Sequence, residues 1–448
     1  MLFSTFITYL SGLLISRHQS RVGLKRLWVF LSFAINISIL IFFKYFDFFA
    51  DNVVRVFALF NVEVVAPTFD VLLPVGISFY TFQALSYTMD VYRGELKAER
   101  NFITYALFVS FFPQLVAGPI ERSVNLLPQF KKEHKFDYER MHHGFVLMIW
   151  GLFQKMVVAD RISIVVDKIY ASPGDYRGSA IVFATLLFAF QIYCDFGGYS
   201  NIAVGTAEIM GFDLMKNFQQ PYLSTSVRMF WRRWHISLNK WFTDYLYIPM
   251  GGSRCKTPRK IFNRMVTFGL SGLWHGASWG FVVWGLLNGI YITIEEGLQA
   301  LRERLTHIPE PGKIAGKIIA VLKTVLTFAA IDFSWLFFRA RTLENAHTAL
   351  SRIFLNFDLS GFLSDFRSVL YGVRQFDLNF LNYYVLAVGI LAVVIVDVAG
   401  SKGFSVSKLT RLKLPLRWIL YLTCLTAILI YGEYGFEYSA ESFIYFQF

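Results

Sequence analysis

The chain is poor in charge and in cysteine. Asp, Glu, Lys and Arg together make up 17% of its 448 residues, against about 25% in an ordinary soluble domain. Its three cysteines, Cys194, Cys255 and Cys424, stand far apart with no paired spacing. That argues against a disulfide framework and against a cysteine-based zinc site. No Gly-rich phosphate loop, metal-ligand set or Gly-x-Ser-x-Gly elbow is visible, so neither a metal nor a permanently bound cofactor is expected. Internal repeats, low-complexity tracts and interdomain linkers are also missing, and residues 1–448 read as a single domain. The first apolar run, Met1 to Ile15, has no basic leader and no small-residue cleavage site. It reads as a shortened membrane helix rather than a removed signal peptide.

What the chain has instead is apolar length. Hydrophobic residues make up 55% of it and its mean hydropathy is +0.47. Leu27 to Phe49, Ser179 to Cys194 and Val385 to Val396 are nearly free of charge. Runs near 20 residues match a hydrocarbon core of roughly 30 Å at about 1.5 Å of helix per residue. The expected fold is an all-α polytopic membrane protein with about eight to eleven transmembrane helices plus re-entrant segments. A membrane β-barrel would alternate apolar and polar residues, which these runs do not do. The formal charge is +12, yet the basic residues lie in short stretches between apolar runs. That is the positive-inside pattern of a multi-pass protein of a bacterial cytoplasmic membrane; lipid, not nucleic acid, is the expected surroundings.

Basic loops set the expected topology. Arg17, Arg21, Lys25 and Arg26 place the first connection in the cytoplasm. Leu27 to Phe49 then crosses outward, Asn52 to Asp70 forms an outer loop, and Leu72 to Val91 returns. Phe102 to Ile120 holds Pro113, Gly118 and Pro119 and reads as a re-entrant segment, because Lys131, Lys132 and Lys135 follow it. Gly144 to Val166 and a long or broken helix over Ser179 to Met210 come next. If Arg228 to Arg264 and Lys313 to Lys323 are both cytoplasmic, Ile261 to Glu296 must enter and leave on one side. Its glycine-rich break at Gly272 to Gly280 makes a bent hairpin feasible.

Three constellations could carry chemistry. The first is Phe230-Trp231-Arg232-Arg233-Trp234-His235, continuing through Asn239, Trp241 and Tyr245 to Pro249. Read as one helix, it puts Arg228, Arg232, His235, Asn239 and Thr243 on one face and Trp231, Trp234, Leu238, Trp241 and Tyr245 on another. Nine basic residues and one acid, Asp244, lie between Ser226 and Arg264. Either the stretch is an interfacial helix meeting lipid phosphates, or its arginines receive an anionic donor such as a phosphate-bearing acyl carrier. The second is Ser271-Gly272-Leu273-Trp274-His275-Gly276, a histidine inside an apolar segment. It is either a general base or a structural histidine tied between helices. The third is Asp195 in the apolar Gln191 to Asn201 run, which could orient a histidine or tie two helices together. Lys155 and Asp160 read as an ordinary helix end.

These motifs resemble the membrane-bound O-acyltransferase family. The matching residues are Arg232-Arg233-Trp234-His235, Asp244 to Pro249 with Gly251-Gly252, and Leu273-Trp274-His275-Gly276. Pro74 to Phe79, Phe112 to Ile120, Cys194 to Phe196 and the aromatic tail Phe443 to Phe448 match as well. The branch most similar is the one that O-acetylates alginate and related envelope polysaccharides. Members usually carry further membrane helix before the stretch resembling Leu2 to Ile15, so this chain looks N-terminally short. Asn201 stands where relatives often have aspartate. The resemblance implies a fold with a tunnel or funnel through its core. It also implies transfer of an acyl group, acetyl above all, from a cytosolic thioester such as acetyl-CoA across the membrane. The acceptor would be an extracytoplasmic polysaccharide, reached through a separate SGNH-type or similar transferase. His275 would be the catalytic histidine and His235 the second. Trp274, Asn288 or backbone N–H groups would support the oxyanion, with Asp195 as a further supporting residue. Arg232, Arg233 and Asn239 would bind the donor, and Tyr445 could relay the acyl group. The rivals are a protein or lipid acyltransferase of the same family, a transporter or flippase, and a non-catalytic scaffold.

Overall fold

The computed structural model describes residues 1–67, 73–305, 312–363 and 380–434, and the described residues hold helices and no strand. Tyr445 and the aromatic tail therefore lie outside the described residues. The first three helices are α1 (Leu2–Arg17), α2 (Val22–Ala58) and α3 (Ile77–Arg93). α2 runs through Asn52, so the expected outer loop from Asn52 is helical as far as Ala58. Its amphipathic last turns, with Phe49, Val53 and Val56 exposed, can lie against lipid and need no loop. α1, α2 and α3 pack on one another.

α4 (Phe102–Ser110) starts at Asn101, whose side chain accepts from the backbone N–H groups of Ile103 and Thr104. It stops at Phe111, and a single helical turn, Phe112–Leu115, follows. Pro113 and Gly118 thus break the segment where the sequence places a re-entrant one. Tyr138–Leu152, Phe153–Ala159 and Asp160–Ala171 run on as one helix, α5, with a π-helical stretch in its middle. α6 (Gly178–Ile209) is long and unbroken at 32 residues. It packs along α5 through two glycine pairs. A Cβ on Gly144 would come within 2.5 Å of Gly205 O, and one on Gly151 within 2.5 Å of Gly198 O. Small residues seven apart on both helices let the backbones touch, the usual device of membrane helix packing.

α7 (Val227–Arg233), α8 (Ile236–Phe242), α9 (Thr257–His275) and α10 (Trp279–Arg304) carry the candidate chemistry. α11 (Lys313–Ala340), α12 (Leu343–Leu355), α13 (Phe380–Ser401) and α14 (Leu414–Tyr431) complete the described fold. α9 and α10 form the bent hairpin expected between Ile261 and Glu296, broken at Gly276–Ser278.

Among the described residues, five helices are long and apolar enough to cross a membrane: α2, α6, α11, α13 and α14. The other long helices miss this measure by length, as α1 and α3 do, or by polar and charged groups, as α5, α9 and α10 do. The best apolar window of α6 is 78% buried by protein, whereas those of α11, α13 and α14 are 11%, 17% and 6% buried. α6 is therefore the central helix and the other three form a lipid-facing perimeter. Charge can persist on α6 only if paired, and it is. Lys155 of α5 lies 2.6 Å from both Asp160 and Asp195, and Asp195 is 1% exposed. Asp195 is thus a tie between α5 and α6. Lys155 and Asp160, read from sequence as a helix end, sit instead mid-helix at the α5–α6 contact.

Lys155→Met leaves two buried carboxylates without their cation. Breaking a buried ion pair costs about 3–5 kcal/mol. Thermal unfolding in detergent should register that loss, and Asp160→Asn with Asp195→Asn added should recover most of it. A single variant as stable as the parent would contradict the tie.

Candidate active site

Two histidines stand at two helix breaks. The stretch from Arg228 to Tyr245 is not the single helix its spacing suggests. α7 ends at Arg233 and the chain turns at His235, whose φ of 42° and ψ of 54° are left-handed. That conformation costs an L-residue about 1–2 kcal/mol, so its surroundings must enforce it. Asn217 does much of this: its backbone carbonyl accepts from Ile236 N at 3.0 Å, and its side-chain oxygen accepts from Ser237 N at 3.3 Å and Ser237 Oγ at 2.7 Å. Asn239 donates to the Trp231 and Trp234 carbonyls at 2.9 and 2.5 Å, closing the end of α7. Asn239 is therefore first a brace for the break.

The break also redistributes the expected faces. Arg228, Arg232, Asn239 and Thr243 still line one cavity of about 480 Å³, with Lys240, Asp244, Arg264 and Ser271. His235 leaves that row and is 1% exposed in the interior. Glu296 gathers Arg228 by a hydrogen bond, Lys260 at 2.8 Å and Arg264 at 2.6 Å. Arg232 is the one arginine of the cavity wall that makes no ion pair among the described residues. Arg233 does not line the cavity; it reaches toward the Gln220 carbonyl at 3.5 Å. Both arginines belong to the last turn of α7, and they part because successive residues of a helix point about 100° away from each other.

The second break ends α9 at His275, which is 5% exposed. Close packing brings α9 and α10 together, since a Cβ on Gly272 would fall 2.1 Å from Phe281 O and one on Gly285 2.2 Å from Phe268 O. An α-helix leaves its last four carbonyls without intrahelical partners. Here α2 supplies partners for three of them. Tyr45 donates to Leu273 O at 2.8 Å, and Lys44 donates to Trp274 O at 2.9 Å and His275 O at 3.0 Å. Both residues belong to a π-helical turn of α2, Ile41–Tyr45.

The breaks bring the histidines together. The His235 and His275 ring centroids are 6.3 Å apart, and Trp274 lies 5.9 Å from the first and 5.0 Å from the second. Phe196 stands 4.6 Å from His235, and Trp284 and Phe338 stand 5.2 and 5.3 Å from His275. Such an aromatic shell excludes water, so an imidazole in it acts on a reactant rather than on solvent. Asn288 has another task than the one expected. Its amide N–H groups go to Trp284 O at 2.9 Å and Ser334 Oγ at 3.2 Å, and its oxygen accepts from Trp231 Nε1 at 3.1 Å. Both N–H donors are engaged, which leaves Trp274 as the remaining side chain of that pair beside the histidines. The site thus unites His235, His275 and Trp274, keeps Arg232 at the cavity wall, and leaves Arg233 and Asp195 elsewhere. Sequence reading missed Lys44 and Tyr45. A lone lysine in the apolar run from Leu27 to Phe49 was the available signal.

Comparison with known proteins gives the family of the whole chain. The profile of the membrane-bound O-acyltransferase family matches residues 95–330. The probable alginate O-acetylase AlgI of Azotobacter vinelandii is 37% identical over 385 residues, covering 86% of this chain and 74% of that protein. The peptidoglycan O-acetyltransferase of Helicobacter pylori is 36% identical, covering 73% of this chain and 65% of that protein. The teichoic acid D-alanyltransferase of Bacillus subtilis is 26% identical, covering 61% and 70%. A helical fold with several helices long and apolar enough to cross a membrane, together with these relatives, defines a membrane acyltransferase. The chain belongs to the membrane-bound O-acyltransferase family.

Proposed function

We propose that the protein takes an acyl group, acetyl in the first instance, from a cytosolic thioester and passes it outward for O-acylation of an envelope polysaccharide. The observation that carries this reading is the pair of imidazoles 6.3 Å apart, next to a cavity whose wall holds an arginine with no ion-pair partner among the described residues. Arg232 meets phosphate of the donor, acetyl-CoA or another phosphate-bearing thioester. The acyl end extends past Ser271, one helical turn before His275, toward the histidines. His275 takes the proton of an acceptor hydroxyl, and the oxygen attacks the thioester carbonyl. The tetrahedral oxyanion draws on the Trp274 indole N–H or on backbone N–H groups. It then collapses, the C–S bond breaks, and the thiol leaves with the proton that the imidazolium returns. His235 serves on the donor side of the same chamber.

The relatives' names support an envelope polymer as the eventual acceptor, since they include an alginate O-acetylase and a peptidoglycan O-acetyltransferase. On this reading a separate extracytoplasmic transferase of SGNH type completes the transfer, and Tyr445 accepts the acyl group on its way. A phenol ester is activated enough to pass its acyl group on.

His275→Ala should insert into the membrane at normal abundance and support no envelope O-acetylation, with His235→Ala impaired but less completely. Wild-type O-acetylation by His275→Ala at normal abundance would sink the assignment. The two arginines should part company. Arg232→Gln loses a charge-assisted hydrogen bond of about 1.5–3 kcal/mol, so half-saturation for acetyl-CoA should rise by about ten- to a hundredfold. Arg233→Gln should leave it unchanged. Equal effects of the two would contradict the cavity as the donor site.

A further inference from the structure

The sequence of α2 does something no helix of an ordinary lipid-facing span needs to do. It carries Lys44 in the apolar run from Leu27 to Phe49, whose one other charged residue is Asp47, and the structure turns that lysine inward. The turn Ile41–Tyr45 is π-helical, wider than an α-helical turn, so successive side chains diverge by less than the usual angle of about 100°. Lys44 and Tyr45, adjacent in sequence, can then both reach one target. The target is the end of α9. Between them they satisfy the carbonyls of Leu273, Trp274 and His275 at 2.8 to 3.0 Å, three consecutive groups that the ending helix leaves without partners. The ammonium also sits against the partial negative charge of a helix C-terminus, and 6.0 Å from the centroid of the Trp274 ring.

We propose that Lys44 and Tyr45 are positioning residues for His275, acting through its backbone on the orientation of the imidazole; this rests on the reading of His275 as the general base. Neither side chain touches a reactant. The end of α9 is followed at once by Gly276 in extended conformation, which imposes little on the residue before it. The clamp from α2 therefore fixes where α9 stops and where the His275 ring stands against Trp284, Phe338 and His235. On the same reading the donor is held at Arg232 in the cavity wall, to which neither Lys44 nor Tyr45 contributes. The clamp thus governs turnover and not affinity.

The test separates turnover from half-saturation, using radiolabelled acetyl-CoA in membrane vesicles of measured protein abundance. A misplacement of about 1 Å can cost on the order of a hundredfold in rate. Lys44→Met should lower kcat by about ten- to a hundredfold on that scale, with KM for acetyl-CoA within about twofold of the parent. Lys44→Arg, which keeps a cation and several donors, should recover a large part of the loss. A Lys44→Met variant with the parent's kcat, or one whose defect lies in KM alone, overturns the positioning role. If Lys44→Met fails to accumulate in the membrane, Tyr45→Phe decides, because it removes one hydrogen bond and keeps the ring. Its kcat should fall with KM unchanged, and an unchanged kcat overturns the proposal. A His275→Ala variant that remains active, or a parent that turns over no acetyl-CoA, would instead remove the reading on which the clamp rests and the clamp with it.

Discussion

A helix that stops inside a membrane protein leaves backbone N–H and C=O groups that water cannot reach, and each must find a partner within the protein. The candidate site depends on how this chain meets that constraint at two places. At the first, Asn217, Ser237 and Asn239 absorb the groups freed between α7 and α8. At the second, Lys44 and Tyr45 absorb those freed at the end of α9. In each case the residue at the break is a histidine. Backbone satisfaction and site assembly are one event: the partners that make the breaks tolerable also bring two imidazoles within 6.3 Å of each other.

Packing around the breaks serves the same end. Gly272 and Gly285 let α9 and α10 approach until no Cβ would fit, and Trp274, Trp284, Phe196 and Phe338 fill the space about the rings. The cavity beside them has the opposite character. Glu296 gathers three of the cations near its wall, and Arg232 and Lys240 make no ion pair among the described residues. A thioester with a phosphate-bearing tail has a charged end and an apolar reactive end, and the site has one region suited to each.

Much of this was legible in the sequence. The apolar runs gave a helical membrane fold, Pro113 and Gly118 marked the broken segment after α4, and Gly272 to Gly280 marked the bend of the α9–α10 hairpin. His235 and His275 stood out because polar residues in apolar surroundings are costly and so are rarely idle. What periodicity could not show was the left-handed turn at His235. Spacings of three and four continue across it in the numbering, yet Asn217, some twenty residues upstream, redirects the chain. Arg232 and Arg233 part for another reason, since adjacent residues of α7 point about 100° away from each other. Asp195 is the tie between helices that its place in an apolar run suggested, whereas Lys155 and Asp160 were misread as a helix end because Asp195, the partner that explains them, is far along the chain. Lys44 was overlooked because a lysine in a long apolar run, with Asp47 three residues on, looks tolerable until its partners, 230 residues away, are known.

A thioester held in the basic cavity, as proposed, would bring its acyl carbon to the histidines by way of Ser271. A direct measurement is the rate at which a small methanethiosulfonate reagent modifies Ser271→Cys, in a background where Cys194, Cys255 and Cys424 are alanine. The account predicts modification from the cytosolic face that saturating acetyl-CoA suppresses in the parent background and suppresses far less once Arg232→Gln is added. Modification at the same rate with and without acetyl-CoA, or from the outer face alone, would contradict it.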